Sequence, residues 1–156
     1  MTTIVRMIKA FCCLLTLTFF VSSCHNTVNT YKNDLRIKPS TLAQLDSANY
    51  TTIEWEDTLR NFGSVKIGDT VFVRFPFKNS GDKALFVIAA HSSCGCAVVK
   101  YSEEAVLPGD KAEITATFRN KYQAGPVHQT LIVTTNTTNK MYHTLSFDGQ
   151  SIDTAK

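Results

Sequence analysis

At 156 residues the chain has room for one domain with short extensions, and with 44% hydrophobic and 19% charged residues it is too apolar for a disordered polymer. Its formal charge of +3 includes Arg6 and Lys9 of an N-terminal leader; without those two, 14 of the 16 basic residues remain against 13 acidic ones. A near-neutral body has no basic surplus for neutralising phosphates, which argues against nucleic acid as a partner.

Residues 1–9 carry two cations and no acid, residues 10–21 form an apolar run, and Ser22-Ser23-Cys24 closes it. That is the order of a secretory signal, and the run is shorter than the ~20 residues of a spanning helix. Val21-Ser22-Ser23-Cys24 also resembles the bacterial lipobox, in which the peptide bond before the cysteine is cut after its sulfur has received a diacylglycerol thioether. Val21 stands where leucine is commonest and Ser23 where glycine or alanine is. The resemblance implies a mature chain that starts at Cys24, with fatty acyl chains such as palmitate as its anchor. Two or three chains hold stably where one is marginal, at ~0.8 kcal/mol per buried methylene. His25, where aspartate would signal inner-membrane retention, favours the outer membrane. The alternative is a plain secretory peptide with an incidental cysteine.

Residues 24–49 are polar and read as a tether, with Leu42 and Leu45 supporting at most a helical turn around residues 40–48, against Pro39. From Tyr50 the apolar period becomes two. Residues 52–56 are a first strand, which residues 59–65 continue after a kink at Phe62-Gly63. In residues 70–79, Val71, Val73, Phe75 and Phe77 face one way and Phe72, Arg74, Pro76 and Lys78 the other. Pro76 lacks an amide hydrogen and marks an edge or a bulge. Asn79-Ser80-Gly81-Asp82 is a turn, residues 85–90 are apolar on both faces, and Pro108-Gly109 suits the centre of a type II turn. Residues 112–119 alternate again, and residues 129–135 and 142–147 pair around the polar loop 136–140, which places His143 near Thr134. About seven short strands without a long helix predict an all-β, immunoglobulin-like antiparallel β-sandwich over residues 50–150, followed by a tail at 151–156. Trp55 and the phenylalanines are its ballast.

Asn61-Phe62-Gly63, Phe77-Lys78-Asn79-Ser80-Gly81-Asp82, Ser93-Cys94-Gly95-Cys96, Leu107-Pro108-Gly109-Asp110 and Thr134-Thr135-Asn136 occur in one order. That order resembles the bacterial domain-of-unknown-function 1573 family, from about Ile53 to Gly149. Ala97 stands where a threonine commonly follows the second cysteine. The resemblance implies a module similar to the ASPM, SPD-2 and Hydin group, carried by secreted or lipid-anchored proteins of Bacteroidetes, and supplies no reaction.

The remaining chemistry rests on Cys94 and Cys96. Cys12 and Cys13 leave with the signal peptide and Cys24 is consumed by lipid, so the two are to be explained together, and in an oxidising envelope such thiols tend to pair. Cysteines two apart around a glycine can close a disulfide, although a ring that small constrains little of the unfolded chain. Three readings stand. The first is a structural disulfide or two packed thiols. The second is a copper or zinc site of His91, Cys94 and Cys96, one ligand short of a structural zinc set and without help from His128 or His143. The third is thiol-disulfide exchange, without the usual C-x-x-C at a helix start. No hydrolase elbow, phosphate loop or metal-hydrolase motif occurs. Asp46-Ser47-Ala48 resembles a short O-glycosylation signal of Bacteroidetes. The expected protein is a non-catalytic outer-membrane lipoprotein without a required cofactor, a structural, adhesion or interaction module with an envelope protein as partner. The alternative is an envelope metal or thiol-redox protein.

Overall fold

The alternation of residues 70–79 is realised as a strand of a two-sheet sandwich. The computed structural model describes residues 38–93, 95–121 and 123–153; the leader, Cys24, most of the tether, Cys94 and residues 154–156 lie outside them. In chain order the elements are α1 (Pro39–Leu45), a 3-10 turn (Ser47–Asn49), β1 (Ile53–Trp55), β2 (Leu59–Lys66), β3 (Thr70–Asn79), β4 (Val87–Ser92), β5 (Ala97–Lys100), β6 (Lys111–Arg119), β7 (Gly125–Thr135) and β8 (Tyr142–Ile152). One sheet has the order β1-β3-β6-β5 and the other β2-β8-β7-β4. β5 had no counterpart among the expected strands, and with it the described strands number eight.

The core is the set of inward side chains of both sheets. Val71, Val73, Phe75 and Phe77 of β3 meet Ile114, Ala116 and Phe118 of β6, and across the sandwich Leu131, Val133, Leu145 and Phe147; all are buried. Each large side chain contributes about 2–3 kcal/mol by leaving water. Phe72, one step out of phase, is 65% exposed. The rings of Phe62, Phe118 and Phe147 pack with centroids 5.8 to 6.1 Å apart, tying β2, β6 and β8 together. Trp55 lies 5.1 Å from Phe77 at the other end.

β2 is not the continuation of β1. The chain leaves the first sheet after Trp55, enters the second and runs parallel to β8, whereas the other five strand pairs are antiparallel as expected. The kink expected at Phe62-Gly63 is a register shift between Asn61 and Ser64, with Gly63 at φ 74°. Asn61 Oδ1 accepts the Gly63 amide there at 2.7 Å, and only glycine holds that left-handed backbone without cost. Pro76 occupies an interior strand, but its carbonyl accepts from the Glu56 amide at 3.1 Å, so its missing N–H faces the point where β1 has already ended. The edge it was expected to mark is local.

The compact unit begins at Lys38, before the expected start at Tyr50. Pro39 opens α1 at its first turn, where its lacking N–H would have no partner anyway. Ser40 and Ala43 are buried, α1 lies against β4, and Lys38 Nζ reaches both Glu103 carboxylate oxygens at 2.8 and 2.9 Å. Two side-chain amides hold the loops of this end. Asn79 Nδ2 donates to the Lys83 and Val106 carbonyls at 2.7 and 2.8 Å, and its Oδ1 accepts from Thr51 Oγ1 and the Gly81 amide. Asn136 Nδ2 donates to the Asn49 and Ala84 carbonyls, both at 2.9 Å, and its Oδ1 accepts the Phe86 amide at 2.7 Å.

Candidate functional site

The cysteine motif lies where the chain passes from β4 of one sheet to β5 of the other. The Ser93 amide donates to the Thr130 carbonyl at 2.9 Å, and the Arg119 amide donates to the Cys96 carbonyl at 3.5 Å, one register step beyond the Ala97↔Phe118 pair. Cys96 is exposed and disulfide-bonded; the other four cysteines lie outside the described residues. Its Sγ is 3.6 Å from Gln129 Oε1. Beside it opens a cleft of about 540 Å³ lined by Thr70, Gly95, Cys96, Val98, Thr117, Arg119 and Lys121. Nothing local in the sequence distinguishes Arg119 and Lys121, because their nearness to Cys96 depends on a strand register that only the pairing of β5 with β6 sets.

His91 stands exposed on β4 opposite Ile132. A disulfide sulfur offers no thiolate, so the set His91, Cys94 and Cys96 becomes a ligand set only after reduction. No group of three His, Cys, Asp or Glu side chains that could hold a metal ion occurs among the described residues. His128 and His143 are placed apart by the β7/β8 register, His128 opposite Asp148 and His143 opposite Val133, which agrees with the expected position of His143 near Thr134. His128 Nδ1 pairs with Asp148 Oδ1 on the surface.

His143 is built into the hydroxyl network of the 136–140 loop. Its Nε2 lies 3.0 Å from Thr135 Oγ1 and 3.1 Å from Thr137 Oγ1, and its ring lies 5.7 Å from Trp55. Thr137 donates to the Lys140 carbonyl at 2.6 Å, and its oxygen lies 2.8 Å from Thr135 Oγ1. Burial, and then the charge of Lys140, hold the His143 pKa below the ordinary 6.5. The unfolded chain therefore takes up this proton at a higher pH than the folded one. The contribution of the neutral ring is fully present above 6.5 and is lost as pH falls from there through the lower folded value. Thermal melts at pH 7.5 and pH 5 are expected to show a lower midpoint in acid, with part of that drop absent in His143→Gln; an equal drop in both proteins would assign it to other groups.

The outer faces of the two sheets differ in charge. On the β1-β3-β6-β5 sheet, Glu54, Arg74, Lys78, Lys100, Lys111, Glu113 and Arg119 point outward by register. On the other sheet three successive rows, Leu59–Ser146–Thr130, Thr144–Ile132–His91 and Tyr142–Thr134–Ala89, carry no carboxylate, lysine or arginine. Leu59, Ile132 and Tyr142 on it are 59%, 41% and 60% exposed.

None of the curated proteins matches the chain. Among solved structures, a protein of unknown function from Porphyromonas gingivalis W83 superposes with a TM-score of 0.58 at 11% identity, over 67% of this chain and 49% of that one. The chain thus spans about half of that protein's length. The ASH/PapD-like domain of human CEP192 (PapD-like domain 7) superposes with a TM-score of 0.51 at 17% identity, over 69% of this chain and 89% of that one. These likenesses establish the immunoglobulin-like sandwich. Residues 53–151, from the start of the first strand into the last, match the family described as "Protein of unknown function (DUF1573)", and the chain belongs to that family.

Proposed function

We propose that this protein is a non-catalytic interaction module of the bacterial cell envelope, held at the outer membrane by acyl chains on Cys24. The observation that carries the reading is the part of the β2-β8-β7-β4 outer face formed by those three rows, which hold no carboxylate, lysine or arginine and where Leu59, Ile132 and Tyr142 are exposed among threonines and serines. Interface centres are depleted in charge and enriched in tyrosine and large apolar side chains, and the opposite sheet, with its seven outward charges, is what a solvated face looks like. The partner is another envelope protein. The metal alternative has no thiolate at Cys96 to stand on while that sulfur is in a disulfide.

Ile132→Glu with Tyr142→Glu should leave the fold within about 1 kcal/mol of wild type, since exposed substitutions cost little. Chemical crosslinking in intact cells should then recover markedly less complex than from the wild type, while Phe72→Glu on the other sheet changes nothing. Equal recovery from all three proteins would sink the assignment of this face. For the anchor, Cys24→Ser is expected to accumulate as an unprocessed or mislocalised precursor; a variant that fractionates with membranes like the wild type would overturn the lipid attachment.

A further inference from the structure

The Ser93-Cys94-Gly95-Cys96 segment takes no part in the uncharged rows of the β2-β8-β7-β4 sheet. A disulfide whose work is structural gains most when it closes a long loop, and the pairing expected for Cys96 closes one of three residues. Cys96 is also exposed to solvent. It opens onto the cleft that holds Arg119 and Lys121 and, among the described residues, no carboxylate. Arg119 Nε donates to the Gly68 carbonyl at 2.5 Å, which keeps the guanidinium at this end of β6. Gln129 Oε1, 3.6 Å from the sulfur, becomes an acceptor for the S–H that reduction creates.

We infer that Cys96 is the entry point of a thiol-disulfide exchange centre, and that its cationic cleft selects thiols carrying carboxylates, such as an acidic peptide thiol. The thiolate of the incoming molecule attacks Cys96 Sγ. A mixed disulfide forms, the protein S–S bond breaks, and the electron pair leaves on the partner cysteine, Cys94 by sequence. A second thiolate of the donor then attacks its own sulfur in the mixed disulfide and releases Cys96. Two donor thiols become one disulfide, two electrons pass to the protein, and two protons end on its sulfurs. Fixed cations speed the approach of an anionic donor and favour the thiolate that departs.

The experiment uses the full chain in detergent, with glutathione, 2-mercaptoethanol and cysteamine as anionic, neutral and cationic probes. Reduction is followed by alkylation and peptide mapping across residues 93–97, and each rate is corrected for thiolate concentration. At low ionic strength glutathione is expected to react about tenfold faster than cysteamine, with the ratio falling towards one in ~0.5 M salt. Arg119→Gln with Lys121→Gln should show the collapsed ratio without added salt. The salt series on the wild type stands even where the double variant fails to fold. A disulfide that none of the three thiols reduces in the folded protein, or rates that ignore donor charge and salt, would overturn the proposal. Either failure leaves the interaction reading intact, because that reading rests on the opposite sheet.

Discussion

Asn79→Ala is expected to remove on the order of 3–5 kcal/mol of folding stability, a large share of what a domain of this size has. The side chain is wholly buried and all of its hydrogen-bonding capacity is used. Truncation strips the Lys83 carbonyl of its side-chain donor, leaves the Val106 carbonyl with the Leu85 amide alone at 3.0 Å, and leaves Thr51 Oγ1 and the Gly81 amide without this acceptor. Each buried group left unsatisfied costs about 1–3 kcal/mol, while the bonds themselves contribute less. Asn79→Asp should fare no better, since it keeps the acceptor but turns a carboxylate towards the Lys83 and Val106 carbonyls. Thr51→Val removes a single bond and is expected to cost about 1 kcal/mol. Thr51 also joins the two asparagine hubs: its hydroxyl donates to Asn79 and its amide to the Asn136 carbonyl at 3.1 Å. Asn79→Ala and Asn136→Ala are therefore expected to be non-additive in a double-mutant cycle. Urea denaturation of the single and double variants measures all of this, and a loss for Asn79→Ala below about 1 kcal/mol would mean that water replaces the amide.

These two asparagines show what the sequence made legible and what it withheld. Both stand in local motifs, Asn79 in a turn and Asn136 after paired threonines. Their work lies in contacts to residues as far as 87 positions away, which no local pattern reports. The alternation of β3, the glycine in the Pro108-Gly109 turn at φ 86° and the β7/β8 register were readable because each depends on neighbours in the chain. The transfer of β2 to the second sheet was not, since a period of two is the same in either sheet and only long-range packing chooses between them. Ala97–Lys100 is four residues long, too short for its alternation to stand out. The docked helix was obscured by Pro39, read as a breaker where it serves as an initiator. At the candidate site the two cysteines announced themselves by spacing, while Arg119 and Lys121 are ordinary surface cations until the β5/β6 register brings them to the same cleft.

The parallel strand has its own keystone, and the second large effect is expected there. Gly149, on β8, has no room for a side chain: a Cβ at this position would run into the ring of Phe62. That ring reaches from the bulge of β2 to the rings of Phe118 and Phe147, 6.0 and 6.1 Å away. The missing side chain at Gly149 is thus the space in which the ring sits, and a small residue is required for contact, not for backbone freedom. Gly149→Ala forces the ring out of its place between the sheets, and overpacking of this kind costs about 1–3 kcal/mol. Phe62→Ala removes the ring and leaves a cavity beside Phe118 and Phe147, for a loss of about 2–4 kcal/mol at a partly buried site. In the Phe62→Ala background the new methyl at 149 meets empty space, so Gly149→Ala should there cost little or restore some stability. A cost of Gly149→Ala that shrinks or reverses once the ring is gone is the result that a cycle of four urea curves would show. If Gly149→Ala costs the same with and without the ring, the ring is not what makes glycine necessary, and the seal between β2 and β8 must lie in their ladder alone.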